Sequence, residues 1–463
     1  MKGKSSGFFR KGSFTAMERL YDIEEIGKKL GLPSSVIESR VREFKGALRP
    51  KKGGQGRMLY PETDLHTLES LGGLPDQKSF DEPGEYMTER DRGIDWRGKT
   101  ILVTGGTGSF GRYFTKVMLE KYHPKAIRIF SRDELKQHEM RQVFPDDEDS
   151  SMRYFIGDVR DLDRLKRAMQ GVDFVVHAAA LKQVPSCEYN PFEAVKTNIY
   201  GTQNVIDAAI DAGVEKAIAV STDKAVNPVN LYGATKLCAE KIFIQGNAYS
   251  SSSGSRFSCV RYGNVIGSRG SVIPLFEQQK KQGRVTITDE RMTRFWITLD
   301  QAVELVIKGF MHMQGGEIFL PRIPSMRVKD LARAVAPGCK VDVIGIRPGE
   351  KLNEVLITEE EGRNTIGYDG MYVALPEYSW WKRTNYKDGK ELPAGFVYAS
   401  NTNDEWLNVE GLREIIYGTS ETREDPASRM LSTIHELNEK IALNMLDPKT
   451  VAQEGGSMIA AGE

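Results

Sequence analysis

From about Lys99 onward, short apolar runs alternate with segments long enough to form helical crossovers. Such runs predict parallel strands, because a parallel strand needs a crossover before the next one and the crossover covers the sheet. The pattern therefore predicts an α/β fold with a doubly wound parallel sheet and helices on both faces. The predicted strands are residues 101–103, 126–130, 154–156, 174–177, 217–221 and 257–262.

The part of the chain before Lys99 has a different pattern. Apolar residues recur at helical spacing in 23–30, and Ser34-Ser35 can cap a second helix after a Gly-Leu-Pro break. Pro83-Gly84 lies in a polar stretch that is typical of a linker. We therefore expect a disordered segment at 1–19, a helical module at 20–75 and a linker at 76–98.

Composition is that of a globular protein, with 40% hydrophobic and 28% charged residues. No apolar run approaches the ~18 residues of a membrane span, and the N-terminus lacks a signal-peptide pattern. The cysteines at 187, 238, 259 and 339 have no metal-ligand spacing and suit a reducing cytosol. These features predict a cytoplasmic protein with no contact to membranes and no metal.

A glycine-rich segment, Thr104 to Gly111, joins the first predicted strand to a helix. Gly105, Gly108 and Gly111 allow a tight turn, close approach of a pyrophosphate and close packing of the helix on the sheet. The free N–H groups and the dipole of the helix N-terminus favour phosphates. Its place at the start of the alternating array predicts a dinucleotide-binding turn of the Rossmann type.

The residues after the second strand distinguish NAD from NADP. NAD sites usually have a carboxylate here, whereas a basic residue accommodates the 2′-phosphate of NADP. Arg132 and Lys136 therefore favour NADP. Asp158, after the third strand, is placed to meet the adenine, and the small residues 178–180, after the fourth, allow close approach of the cofactor.

The segment after the fifth strand contains the candidate catalytic residues. Tyr232 and Lys236 lie four positions apart and share one helical face. A nearby ammonium stabilises tyrosinate and lowers the pKa of a tyrosine, which suits it to taking a proton from a hydroxyl. Thr222-Asp223-Lys224 precedes this helix and belongs to the same group of polar residues.

These motifs resemble a known family. The glycine motif with Tyr232-x-x-x-Lys236 resembles the extended short-chain dehydrogenase/reductases, and residues from about 99 to 420 resemble the inverting UDP-N-acetylglucosamine 4,6-dehydratases (PseB-like). The resemblance implies an NADP-binding Rossmann domain at 99–285, a substrate-binding region at 286–443 that exchanges segments with it, and a tail at 444–463. The matching stretches are 131–136, 222–225, 291–296 and 347–351.

The resemblance also implies a reaction and a role for each residue. Tyr232 deprotonates the sugar C4 hydroxyl while hydride leaves for NADP, Lys224 removes the C5 proton, and Asp223 helps to protonate the departing C6 hydroxyl. The hydride returns to C6, so NADP is regenerated. Thr222 and Lys236 hold the sugar hydroxyl and the tyrosinate.

Binding residues follow from the same resemblance and from the position of the motifs. Arginine suits a diphosphate because its planar fork bonds two oxygens at once. The expected substrate-binding residues are Lys182, Asn264, Arg269, Arg294, Arg347 and Glu350. The expected cofactor-binding residues are Gly105, Thr107, Gly108, Ser109, Phe110, Gly111, Ser131, Arg132, Asp133, Lys136, Asp158, Val159, Ala178, Ala179, Ala180, Tyr232, Lys236 and Val265.

Several alternatives stay open. The donor is UDP- or GDP-N-acetylglucosamine. A nucleotide-sugar 4-epimerase is a rival, although it needs no acid–base pair for C5 and C6, and Asp223-Lys224 argues against it. The third alternative is a regulator that senses NADP and binds DNA. We also expect a homo-oligomer.

The DNA-binding alternative rests on the front of the chain. Residues 1–60 contain 14 Lys and Arg against 6 Asp and Glu, and 20–72 resemble a MerR-type winged helix-turn-helix. Lys45, Arg49, Lys51, Lys52 and Arg57 are the candidate phosphate contacts. Because Glu38 and Glu43 lie among the basic residues, we favour a docking or assembly role over DNA binding.

Overall fold

The computed structural model describes residues 20–30, 51–52, 58–61, 94–148, 150–250, 254–268, 271–378, 381 and 386–417. The chain divides into two compact units, Met1–Thr88 and Glu89–Glu463. In the described residues of the smaller unit, strands β1 (Leu20–Tyr21), β2 (Lys51–Lys52) and β3 (Met58–Pro61) form an antiparallel sheet in the order β1–β3–β2. Helix α1 (Ile23–Leu30) coincides with the predicted helical spacing, whereas the strands were not predicted.

Other predictions for the front and the tail fall on residues that the structure does not describe. They are the disorder at 1–19, the second helix after Ser34-Ser35, most of the linker at 76–98, and the tail at 444–463. Of the candidate phosphate contacts, Lys45, Arg49 and Arg57 lie outside the described residues, and Lys51 and Lys52 are described as backbone in β2.

The larger unit alternates strands and helices along its whole length. Its strands are β4 (Thr100–Thr104), β5 (Ala126–Ser131), β6 (Met152–Ile156), β7 (Phe174–His177), β8 (Lys216–Thr222), β9 (Arg256–Tyr262), β10 (Asn264–Val265), β11 (Arg284–Ile287), β12 (Thr293–Ile297), β13 (Ile318–Pro321), β14 (Ser325–Arg327), β15 (Lys340–Val343), β16 (Val355–Ile357), β17 (Thr365–Tyr368), β18 (Met371–Ala374), β19 (Lys390–Glu391) and β20 (Tyr398–Ala399). Its helices are α2 (Ser109–Val117), α3 (Glu134–Arg141), α4 (Leu162–Met169), α5 (Val184–Tyr189), α6 (Pro191–Val195), α7 (Gly201–Asp211), α8 (Leu231–Tyr249), α9 (Val272–Lys280), α10 (Leu299–His312), α11 (Val328–Val335), α12 (Glu359–Gly362) and α13 (Val409–Tyr417).

The main sheet has the strand order β6–β5–β4–β7–β8–β9–β13–β18–β17–β19. Strands β6 to β13 in this order run parallel, and the last three pair antiparallel. All six predicted strands are present as neighbours, so the doubly wound α/β fold is confirmed. The chain order reverses between β4 and β7, and such a switch point opens a crevice at the carboxyl ends of the strands.

Burial explains why these segments became strands. Every residue of β4 and of β7 is buried, because helices cover both faces of the sheet. Aromatic side chains fill one face, where Trp96 packs edge-on against Phe174 and Phe310. A rigid core of this kind holds the strand ends, and therefore the loops that follow them, in fixed positions.

A second core supports the loops above the crevice. Strands β11 and β15 pair parallel, β12 pairs with β10 and β14, and helices α9, α11 and α13 pack around them. This core already includes Ile266 and Ile273, whereas helix α10 and strand β13 join the main core. The two regions thus exchange chain segments, and the boundary at 285 stays a prediction.

Among the described residues, no helix combines the length and the hydropathy that a membrane crossing requires. All four cysteines are free thiols.

The division after Thr88 predicts that the larger unit folds without the smaller one. A chain that begins at Glu89 is expected to keep the main unfolding transition within about 3 °C of the full-length protein, since that shift corresponds to only about 2 kcal/mol in a unit of this size. Thermal melting followed by circular dichroism measures it. If the truncated protein is insoluble, or if its transition falls by much more than about 3 °C, residues 1–88 are part of the fold of the larger unit.

Candidate active site

One cavity of about 750 Å³ lies at the carboxyl ends of the parallel strands. Its wall includes almost all of the predicted binding and catalytic residues. Among the described residues, Asp223 is the exception, because it is fully buried and does not line the cavity. Arg269 lies outside the described residues. The predicted residues in the wall are Gly105, Thr107, Gly108, Ser109, Phe110, Gly111, Ser131, Arg132, Asp133, Lys136, Asp158, Val159, Ala178, Ala179, Ala180, Lys182, Thr222, Lys224, Tyr232, Lys236, Asn264, Val265, Arg294, Arg347 and Glu350.

The glycine turn has the geometry of a phosphate cradle. Gly105 has φ +65°, and a Cβ there would come within 2.9 Å of the Ala179 backbone on the neighbouring loop. Gly108 precedes helix α2 as its N-cap, and no side chain caps the helix. The N-terminus of α2 therefore faces a part of the cavity wall that is lined by small residues. This arrangement fits a dinucleotide pyrophosphate.

Cations and carboxylates alternate beyond the second strand. The Asp158 carboxylate accepts a hydrogen bond from Arg160 at 2.7 Å and a longer one from Arg132 at 3.4 Å. Burial alone would raise the pKa of Asp158, but the bonds and charges of these two arginines lower it. Lys136 is paired with Asp133, the N-cap of α3. Arg132 thus has a weak contact that a phosphate could replace, while Arg160 keeps Asp158 neutralised.

Helix α8 positions the predicted tyrosine and lysine. Asn230 caps it by accepting from the Gly233 N–H at 2.7 Å, and both Tyr232 and Lys236 are buried. The Lys236 Nζ donates to the Val220 carbonyl oxygen at 2.9 Å.

The pKa of Tyr232 differs from the expectation. Burial raises it to about 12, and the groups that oppose this shift are Lys224 and a hydrogen bond with Thr222. The expectation that Lys236 lowers this pKa is therefore not met, because Lys236 is directed at a backbone carbonyl and Lys224 is the cation that acts on the tyrosine.

Lys224 lies at the centre of the polar cluster. It follows Asp223 in a short 3-10 turn at the end of β8. Its Nζ is 3.0 Å from Asp223 Oδ1 and 3.4 Å from Asn264 Oδ1. Burial lowers the pKa of Lys224, but the carboxylates of Asp223 and Glu354 outweigh burial and hold the pKa well above its usual value. Burial raises the pKa of Asp223, so this carboxyl holds a proton more readily than a surface one.

The segment 347–351 is anchored to the start of helix α8. The Asn230 Nδ2 donates to the Gly349 carbonyl at 2.8 Å, and the Lys351 Nζ donates to the Val226 carbonyl at 2.7 Å. The Arg294 guanidinium donates to the backbone carbonyls of Lys351 and Leu352. Arg294 therefore holds this segment in place, whereas Arg347 lines the cavity and is exposed.

The chain is similar to known proteins. Residues 101–376 match the family described as polysaccharide biosynthesis protein. The chain belongs to this family. It is 51% identical over 333 residues to the UDP-N-acetylglucosamine 4,6-dehydratase (inverting) of Campylobacter jejuni, which covers 70% of this chain and 99% of that protein. The predicted resemblance to the inverting dehydratases is thereby confirmed.

The chain is also similar to an epimerase and to a protein of known structure. This family member is 41% identical over 335 residues to the UDP-glucose 4-epimerase of Rickettsia akari, covering 69% of this chain and 95% of that protein. The X-ray structure of Pen from Bacillus thuringiensis is 40% identical, with a TM-score of 0.64, and covers 70% of this chain and 98% of that chain.

Sequence reasoning missed several residues of the wall in this family member. They include Gly157, Tyr262, Lys351 and Glu354. Glu354 is the most important of these for the electrostatics of the site, because its side chain is only 3% exposed and lies near three cations. Glu354 lies only three positions after Lys351, so extending the matched stretch 347–351 by three residues would have included it.

Proposed function

We propose that this protein is an NADP-dependent UDP-N-acetylglucosamine 4,6-dehydratase that inverts C5. The observation that carries the proposal is the contact of Lys224 with Asp223, beside Tyr232, in the cavity that also contains the glycine cradle. The identity to the Campylobacter jejuni enzyme supports the same reaction and donor. When bound, NADP supplies a nicotinamide that takes hydride from C4 and later returns it to C6.

In the proposed oxidation, Tyr232 takes the proton of the C4 hydroxyl. Thr222 hydrogen-bonds Tyr232 and lines the cavity, so it orients both the phenol and the sugar hydroxyl. Lys224 stabilises the tyrosinate that forms, because its positive charge lowers the pKa of Tyr232. Lys236 holds the helix face against the end of β8 through the Val220 carbonyl.

In the proposed elimination, Lys224 removes the C5 proton, which the 4-ketone has made acidic. The C6–O bond then breaks, and the oxygen leaves as water with a proton that originates at Asp223. A neutral amine and a carboxylic acid are needed together, and one proton moved along the 3.0 Å contact converts the ammonium–carboxylate pair into that state. Because Asp223 is behind the wall, its proton reaches the sugar through Thr222, whose Oγ1 is 2.9 Å from Asp223 Oδ1.

The assay for this proposal is incubation of the purified protein with UDP- and GDP-N-acetylglucosamine, with products identified by NMR. We expect a 4-keto-6-deoxy sugar from the UDP donor, with inverted C5. Preference for the GDP donor would change the donor and leave the reaction unchanged. A 4-epimer with no loss of water would support the rival function, which the identity to the Rickettsia akari protein favours.

The cofactor proposal predicts a selective effect of Arg132→Ala. Removing this guanidinium should weaken NADP binding roughly tenfold or more, because a hydrogen bond to a charged group is worth about 1.5–3 kcal/mol. NAD binding, which involves no 2′-phosphate, should change little. Arg153→Ala, on strand β6 and outside the cavity wall, is the matched control. Calorimetric titration with both nucleotides measures the effect, and an equal loss for both would exclude the 2′-phosphate assignment.

We also propose that the protein forms a homo-oligomer and is located in the cytoplasm, as predicted from the sequence.

A further inference from the structure

Glu354 occupies a fixed position at the edge of the cavity. It immediately precedes strand β16, and its backbone N–H donates to Ser400 Oγ at 2.9 Å. The Ser400 N–H donates in turn to the Glu354 carbonyl at 2.8 Å. The residue is 2% exposed, yet it lines the cavity. The backbone of Glu354 is therefore held on both sides by Ser400, and its side chain extends from a fixed position.

Three cations surround this carboxylate. Lys351 Nζ lies 3.1 Å from Oε2, and Arg294 Nε and Lys224 Nζ lie 3.7 and 3.8 Å from Oε1. Lys351 and Arg294 are also bonded to backbone carbonyls. Lys224 is the most exposed of the three, at 27% of its side chain. The carboxylate and two of its cations form a rigid frame, and Lys224 is the member that is most accessible from the cavity.

The charges around Lys224 come from several elements. Asp223, in the turn after β8, and Glu354, before β16, are the carboxylates; Tyr232 on α8 is the phenol. Arg294 on β12 and Lys182, after β7, are the facing cations, and burial together with Lys224 lowers the pKa of Lys182. Without Glu354, Asp223 alone would balance this group of cations.

We propose that Glu354 is a positioning residue, whose carboxylate holds the Lys224 amine between Asp223 and Asn264 and balances its charge for proton removal at C5. This inference rests on the proposed role of Lys224. It assigns Glu354 no contact with the sugar. If the inference is right, loss of Glu354 slows removal of the C5 proton by Lys224 and leaves the C4 oxidation by Tyr232 nearly unchanged.

The experiment is Glu354→Gln, with two readouts on the full-length protein and UDP-N-acetylglucosamine. Single-turnover absorbance of reduced nicotinamide reports C4 oxidation, and deuterium incorporation from deuterated water reports C5 exchange. We expect the maximal rate of C5 exchange, which is reached above its alkaline rise, to fall about tenfold or more, because a small displacement of a catalytic group has such an effect. C4 oxidation and KM should stay within about twofold, since neither uses the repositioned amine as a base.

The pH dependence of C5 exchange in Glu354→Gln should shift in a direction that a purely structural role of Glu354 would not produce. Loss of a neighbouring carboxylate lowers the pKa of the Lys224 ammonium, so the neutral amine forms at lower pH. The alkaline rise of C5 exchange in Glu354→Gln should therefore move to lower pH by about one unit or more. An unchanged profile, or equal slowing of C4 oxidation and C5 exchange, would overturn the inference.

Two further variants keep the result decisive. Glu317→Gln also removes a buried carboxylate, one that binds Ser258 and lies outside the cavity wall, and it should leave the pH profile unchanged. If Glu354→Gln does not fold, Glu354→Asp is measured in its place. Slower C5 exchange with unchanged C4 oxidation supports the positioning role of Glu354, whereas equal slowing of C4 oxidation and C5 exchange refutes it. Wild-type protein without C5 exchange would refute the proposed reaction itself, whereas normal wild-type exchange with no effect at Glu354 refutes only this inference.

Discussion

Lys224→Ala is expected to abolish formation of the 4-keto-6-deoxy product while the protein still binds nucleotide sugar and NADP. The amine is the only described basic side chain within 3.0 Å of Asp223 Oδ1, and it lines the cavity. Removing a general base lowers a rate by about a hundredfold to ten-thousandfold. Product formation followed by NMR, with binding measured by calorimetry, tests this.

Lys224→Arg separates the two effects of this residue. Arginine keeps the positive charge that lowers the pKa of Tyr232, but it does not deprotonate near neutral pH. We expect Lys224→Arg to reduce nicotinamide in a single turnover nearly as fast as the wild type, and to leave C5 without deuterium. Lys224→Ala should oxidise C4 more slowly, because the tyrosine loses its nearby cation. Deuterium at C5 in either variant would assign the base to another residue.

The sequence predicted the sheet well because its signals are local. Most of the strands are short apolar runs, and some of them are followed by a helix with its own start signal, such as Asp133 before α3 and Asn230 before α8. The glycine turn was equally predictable, since the left-handed conformation of Gly105 favours a residue without a side chain. Such features depend on neighbours in the sequence.

The missed features depend on contacts between distant segments. Glu354 reaches Lys224 across 130 positions, and its burial depends on Ser400, further along the chain. The fixed spacing of Tyr232 and Lys236 correctly predicted one helical face, but it did not predict that Lys236 would bond the Val220 carbonyl. Spacing gives the direction of a side chain, whereas the partner it meets is determined by the tertiary packing.

Tyr232→Phe is expected to block the reaction before any change at C5. Phenylalanine keeps the ring that packs in the wall but lacks the oxygen that takes the C4 proton. The fall in kcat should reach about a thousandfold, within the range for loss of an acid–base group. Because the 4-ketone never forms, C5 should gain no deuterium and no reduced nicotinamide should appear. This distinguishes the variant from Lys224→Arg, in which nicotinamide is reduced while C5 stays unexchanged.

The pH dependence of the wild-type protein follows from the same tyrosine. Burial raises the pKa of Tyr232 to about 12, so the phenol is protonated at neutral pH, and the tyrosinate fraction increases as pH rises. The rate of nicotinamide reduction should therefore increase with pH throughout the range in which the protein stays folded. In Lys224→Ala the rise should move to higher pH, since the lysine charge opposes the effect of burial on this pKa. A rate of C4 oxidation that does not depend on pH, or a shift of the rise to lower pH in Lys224→Ala, would show that Tyr232 is not the group that accepts the C4 proton.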